Sequence, residues 1–345
     1  SISPPDFARF TSMFRNAQNC LFLLLLTHIA ASNSPPLPPP THLRPIVGIL
    51  TVPLASGCVT AAAADSTSLL SVTSCFDSLY VKWLESSGAR VVPIRYDSSD
   101  TELQNLVSSV NAILFTGGDT PIIHTDSQYM HAAGYLLNHT IASTDHFPLW
   151  GTCMGIQTLS ILTAGTASVL ESGIFTGVDP QMMPLNLTND ATAKSRLLNE
   201  QTTPPSVLQS LINAPVTTNL HHDGIDPQSY VTNANLNSFY YVLSTNEDTS
   251  GHAFVSTIEA KAHPIYGVQW HPERPQFDWT YQGRLNHDLE AIQTMQYFSN
   301  FFVNEARRNG RRFKTEQEET KNLIYNYHPV ASGSSYQPYL FDQQQ

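Results

Sequence analysis

Charge is scarce in this chain. Only 13% of its 345 residues are Asp, Glu, Lys or Arg, and the acids outnumber the bases to leave a net charge of −11. Nucleic acids and anionic membranes recruit proteins through basic surfaces, so neither is expected as a partner. Long apolar runs are missing as well: Cys20-Leu-Phe-Leu-Leu-Leu-Leu-Thr-His-Ile-Ala-Ala-Ser32 is too short to span a bilayer. With Arg15 before it and small residues after it, this run has the layout of a secretory signal peptide, so residues 1–34 are assigned as a leader. Met13 is the expected true start. Cysteines number four. Cys20 leaves with the leader, Cys153 must stay reduced to do chemistry, and Cys58 and Cys75 could pair or remain free. Metal-ligand clusters are also wanting, since His221-His222-Asp223 has no third, well-spaced group to join it, and no metal is expected.

Several features point to passage through an oxidising or acidic compartment. Thirteen histidines would carry the net charge from −11 to +2 if all were protonated. Asn138-His139-Thr140 and Asn186-Leu187-Thr188 are candidate glycosylation sites at Asn138 and Asn186. The expected destination is the secretory pathway, ending in the extracellular space, lysosome or vacuole. Five prolines between Ser34 and Pro40 mark an extended linker, taken as residues 35–43. A catalytic domain over residues 44–313 and a C-terminal tail over 314–345 complete the chain, and 41% apolar content is enough to fill one core.

Within that domain strands and helices alternate. Ile46–Val52, Arg90–Ile94 and Ala112–Phe115 read as strands. Phe76, Leu79, Tyr80, Trp83 and Leu84 have helical spacing, and Ser99 with Glu102 forms a capping-box pattern ahead of Leu103, Leu106, Val107 and Val110. A helix from Ser127 to Asn138 leads into the strand before Cys153. This order predicts an α/β fold, a three-layer αβα sandwich around a mostly parallel, flavodoxin-like sheet. Pieces at Tyr240–Ser244, Phe254–Ile258 and Ile265–Trp270 predict an antiparallel extension, followed by a long amphipathic helix from Asp288. There is no internal repeat.

Two motifs carry chemistry. Gly151-Thr-Cys153-Met-Gly155-Ile-Gln157 follows the apolar run Phe147–Trp150, which places a cysteine on a sharp strand-to-helix turn. Glycines on either side relieve the crowding of such a turn, and the helix N-terminus that follows favours a thiolate. Tyr266-Gly-Val-Gln-Trp-His271-Pro-Glu273 ends a strand-like run in a histidine and an acid two positions apart. On an extended segment these point the same way, so Glu273 can orient His271 toward a thiol.

Together the motifs resemble the class I glutamine amidotransferase-like superfamily, and within it the gamma-glutamyl hydrolase family. The resemblance runs from Arg44 to Asp342, through Ile113-Leu-Phe-Thr-Gly-Gly118 and Phe301-Phe-Val-Asn-Glu-Ala-Arg307. It implies a Cys153–His271–Glu273 triad that hydrolyses the γ-glutamyl bonds of folate poly-γ-glutamates without a cofactor, in a homodimer. The backbone of Met154 is the expected first oxyanion donor, and the resemblance adds Gly118 as the second. Gly117, Gln157 and His221 are the expected substrate contacts. Gln157 departs from many of these hydrolases and matches the glutamine of amidotransferases. The competing readings are a glutaminase-type amidotransferase and an inactive binding glycoprotein on the same fold.

Overall fold

Ile46-Val-Gly-Ile-Leu50 is apolar at every position because it is buried on both faces. Ile46 and Leu50 join one core, while Val47 and Ile49 join another across the sheet. Ala112–Phe115 divides in the same way, with Ile113 and Phe115 on the first side and Ala112 and Leu114 on the second. The two-residue period of extended chain thus builds a middle layer with a core on each side.

The computed structural model describes residues 37–64, 71–281, 283–331 and 335–342. The leader, Met13 and the start of the proline-rich linker lie outside the described residues. In chain order the first strands are β1 (Ile46–Leu50), β2 (Val52–Pro53), β3 (Val72–Asp77), β4 (Arg90–Ile94), β5 (Ala112–Phe115) and β6 (Leu149–Thr152). They are followed by β7 (Gln181–Met183), β8 (Asn186–Leu187), β9 (Thr217–Asn219), β10 (Tyr240–Glu247), β11 (Ala253–Ala260), β12 (Ile265–Val268) and β13 (Pro338–Asp342). The main sheet has eight strands in the order β4-β1-β5-β6-β12-β11-β10-β8. Its first five run parallel, and β11, β10 and β8 extend it in antiparallel fashion.

Helices Asp100–Val107, Gln128–Ala142 and Met154–Ala164 pack on one face; Ser78–Glu85, Pro205–Asn213 and Leu289–Ala306 pack on the other. The αβα sandwich is therefore as expected, and so is an antiparallel extension, but Ile265–Trp270, expected in that extension, instead supplies β12, which pairs parallel with β6 and ends at Val268. The capping box is present too, with Ser99 Oγ accepting from the Glu102 N–H and Glu102 Oε2 accepting from the Ser99 N–H.

Several boundaries differ from the sequence expectation. Phe76 belongs to β3 rather than to the following helix, because Asp77 N-caps that helix by accepting the Leu79 N–H at 3.1 Å. The helix expected to stop at Asn138 continues to Ala142, since Thr140 still packs inward. Val110 is buried but lies beyond its helix, and Leu289, the first residue of the long helix that follows Asp288, is 69% exposed. The first strand stops at Leu50, and Val52 begins β2 of a separate sheet ordered β13-β3-β2. Within the C-terminal tail, β13 pairs antiparallel with β3, and a disulfide joins Cys58 to Cys75 on β3. Among the described residues no helix is long and apolar enough to cross a membrane.

Candidate active site

Strands β5, β6 and β12 lie side by side, and the chain segments leaving their carboxyl ends converge. Cys153 follows β6 directly with φ 53° and ψ −108°, the only non-glycine with positive φ among the described residues. Its N–H donates to Val268 O of β12 at 2.8 Å, and the helix Met154–Ala164 begins at once. The flanking glycines allow this. A Cβ on Gly151 would lie 2.6 Å from the Gly155 backbone, and one on Gly155 would lie 2.5 Å from Phe115 O. The tight turn needs both close approaches, and the thiol at its apex is free.

His271 leaves β12 on a segment anchored by its N–H donating to Thr218 O at 2.8 Å. His271 Nδ1 and Glu273 Oε1 are 2.6 Å apart, as expected, although the local reason differs. Glu273 has helical φ/ψ of −77° and −18°, so a turn rather than extended chain brings the two side chains together. Both are buried. Burial alone would lower the His271 pKa, but the Glu273 carboxylate and then the Cys153 sulfur outweigh it and hold the imidazole at about 9. Its Nε2 is buried with no hydrogen-bond partner among the described residues. Cys153 stands beside the ring: a single point above Gly117 is 3.0 Å from His271 Cε1 and 3.2 Å from Cys153 Cβ.

That point is where a Gly117 side chain would go, so glycine keeps the space between His271 and Cys153 open. The Gly117 N–H is occupied, donating to Tyr80 Oη at 2.8 Å. The Gly118 and Met154 N–H groups make no hydrogen bond among the described residues and stand at the edge of a cavity of about 680 Å³. Gln157 and His221 line the same cavity. The Gln157 amide donates to Asp223 O at 2.9 Å and to Gln269 Oε1 at 3.1 Å, and Gln269 Nε2 in turn approaches Cys153 Sγ at 3.6 Å. His221 Nδ1 donates to Asp223 O at 2.9 Å, which leaves Nε2 as a buried acceptor without a partner among the described residues. Burial depresses the His221 pKa to about 3, so this ring is neutral. His222 turns away to Asp179, at 3.2 Å. Among the described residues no group of His, Cys, Asp and Glu could hold a metal ion.

Sequence reasoning missed Tyr80, Gln269, Asp77 and Arg274, all of which border or support this cleft. Asp77-Ser78 before a helical pattern is an N-cap signal that could have flagged the first of the two charged residues; nothing in the sequence links Tyr80 to Gly117. Asn138 and Asn186 are both exposed, one late in a helix and the other on the edge strand β8.

A mostly parallel sheet that presents a thiol, an imidazole–carboxylate pair and two amides without partners among the described residues at one edge is that of a hydrolytic acyl-transfer enzyme. The chain belongs to the Peptidase C26 family, whose model matches residues 45–273. It is 38% identical over 313 residues to gamma-glutamyl hydrolase B of Dictyostelium discoideum, covering 90% of this chain and 84% of that protein. It is 40% identical over 269 residues to gamma-glutamyl hydrolase of Homo sapiens, covering 76% of this chain and 81% of that protein. A glutamine amidotransferase crystal structure aligns with TM-score 0.36 at 12% identity, over 75% of this chain and 98% of that one.

Proposed function

We propose that this chain hydrolyses γ-glutamyl peptide bonds, with Cys153 as nucleophile, and that folate poly-γ-glutamates are its substrates. The observation that carries the catalytic assignment is the state of His271, gripped at Nδ1 by Glu273 and unpartnered at Nε2 beside the thiol. An imidazole held at about 9 is an imidazolium in neutral and acidic solution. The Cys153 sulfur attacks the γ-carbonyl, and the oxyanion meets the Gly118 and Met154 N–H groups. His271 gives its proton to the departing nitrogen, the C–N bond breaks, and a γ-glutamyl thioester remains. Now neutral, His271 takes a proton from water, whose oxygen displaces the sulfur and releases the γ-glutamyl product. Glu273 keeps the ring aimed throughout. Thiol, imidazole and water suffice, so no cofactor is required.

A γ-glutamyl bond is chemically a substituted glutamine side-chain amide, which is why one cleft can suit both amidotransferase and hydrolase chemistry. His221 offers its Nε2 lone pair to a substrate donor, and Gln157 shapes the wall beside it. The secretory reading, with extracellular, lysosomal or vacuolar destinations and glycans on Asn138 and Asn186, is supported by the exposure of both asparagines and by the Cys58–Cys75 disulfide. A homodimer is part of the same reading, and sedimentation of the purified protein tests it.

The deciding assay offers the enzyme glutamine, γ-glutamylglutamate and a defined folate polyglutamate, and follows ammonia, glutamate and product chain length. Glutamate or short poly-γ-glutamate release is expected. Ammonia from glutamine as the main product would favour a glutaminase, and no product from any of the three would leave a binding protein.

A further inference from the structure

Two cavities meet at Cys153. The larger holds Met154, Gln157 and His221 on its walls; a smaller one of about 200 Å³ is lined by Asp77, Tyr80, Gly117, His271 and Arg274. Gly118 and Cys153 border both, whereas His271 borders the smaller and not the larger. The departing nitrogen takes its proton from His271 in the reaction proposed above. On that reading, the departing group occupies the small cavity and the acyl group the large one.

Two residues that line the small cavity, Asp77 and Arg274, carry buried polar atoms with no hydrogen-bond partner among the described residues. Arg274 is 8% exposed, and its Nη1 is bonded to Asp278. Its Nε lies 3.9 Å from Glu273 Oε1, beyond hydrogen-bond reach, and has no partner. Asp77, also 8% exposed, spends Oδ1 on capping Leu79, while Oδ2 is buried and unpartnered. Leaving a buried donor and a buried carboxyl oxygen unpaired is costly, and a ligand that bonds both removes the cost.

We propose that this cavity is the leaving-group subsite, where Arg274 Nε–H and the Asp77 carboxyl together hold a carboxylate of the departing glutamate. Arg274, His271, Tyr80, Tyr336 and Asp119 line the cavity with Asp77, and the charges of Glu273 and Asp278 act on it from behind that wall. Burial pushes Asp77 up to about 7, with Glu273 and Asp278 adding to the rise and Arg274 and the Leu79 N–H opposing it. In mildly acidic solution Asp77 is therefore an O–H donor, and two donors meet the carboxylate. Once ionised, Asp77 repels it. Recognition of the departing residue is thus strongest on the acidic side, while a leaving group without a carboxylate escapes this dependence.

The test compares γ-glutamylglutamate with γ-glutamyl-p-nitroanilide, whose leaving group carries no carboxylate. Both Asp77→Ser and Asp77→Asn preserve the N-cap, but only Asn keeps a donor long enough to reach the ligand. The expected result is that the ratio of kcat/KM for the dipeptide to that for the anilide falls about tenfold or more in Asp77→Ser and is retained in Asp77→Asn. In the unaltered enzyme, KM for the dipeptide rises relative to the anilide between about pH 5 and about pH 8, and this slope disappears in Asp77→Asn. Titration of His271 touches both substrates alike and cancels in the ratio. An unchanged ratio in Asp77→Ser, or a ratio in the unaltered enzyme that ignores pH, overturns the subsite while anilide turnover continues. If the unaltered enzyme turns over neither substrate, the hydrolase reading falls and the subsite with it.

Discussion

Cys153 holds a backbone conformation that side chains rarely adopt, and the surrounding contacts over-determine it: a hydrogen bond to β12 and two glycine approaches leave the turn no alternative. Gly117 is equally constrained, because any side chain there crowds His271 Cε1, Cys153 Cβ and the Tyr80 hydroxyl. Gly117→Ala should therefore retain the fold while lowering kcat about a hundredfold, since displacement of reacting groups by roughly an ångström costs that much. Stopped-time product assays alongside circular dichroism check it. Cys153, His271 and Glu273 could be read from sequence because each pair of partners sits in, or is framed by, one short motif. Tyr80 could not, for its bond to Gly117 spans 37 positions and depends on how a helix docks against β5. Asp77 and Arg274 escaped for the same reason, being brought together by packing rather than by spacing.

The strands were legible where burial on both faces makes them uniformly apolar, as in β1, β5 and β4 beyond Arg90. Ends were harder to place. Apolar spacing alone draws Phe76 into the helix after it, but Phe76 is buried in the second core from a strand, and Asp77 sets the true start. Helix Gln128–Ala142 outruns its expected end because Asn138 carries no stop signal and Thr140 is accommodated inward. By contrast, the Ser99–Glu102 box was visible and is formed, so Ser99→Ala should destabilise the protein by about 1 kcal/mol without changing kcat. Urea unfolding monitored by fluorescence measures this.

Across the molecule, the buried titrating groups favour the acidic side of neutrality. His271 has its pKa raised from 6.5 to about 9, so its contribution to stability is complete below 6.5 and is lost as pH rises through 9. Asp77, raised from 3.8 to about 7, adds a loss that is complete just above 7. His221 works in reverse, lowered from 6.5 to about 3, and penalises the fold only below 6.5. The melting temperature should therefore fall between pH 6.5 and 9, and His271→Gln should flatten that slope. An unaltered slope in that variant would show that other groups govern it. The same imidazolium that stabilises the fold donates the proton in the proposed reaction, so stability and catalysis draw on one charge arrangement. In that reaction the γ-glutamyl bond is broken through the Cys153 sulfur. The most direct measurement is glutamate release from γ-glutamylglutamate by Cys153→Ala, matched to the unaltered protein by circular dichroism. The rate should fall at least about a thousandfold, and a folded variant that turns over at the original rate would contradict the account.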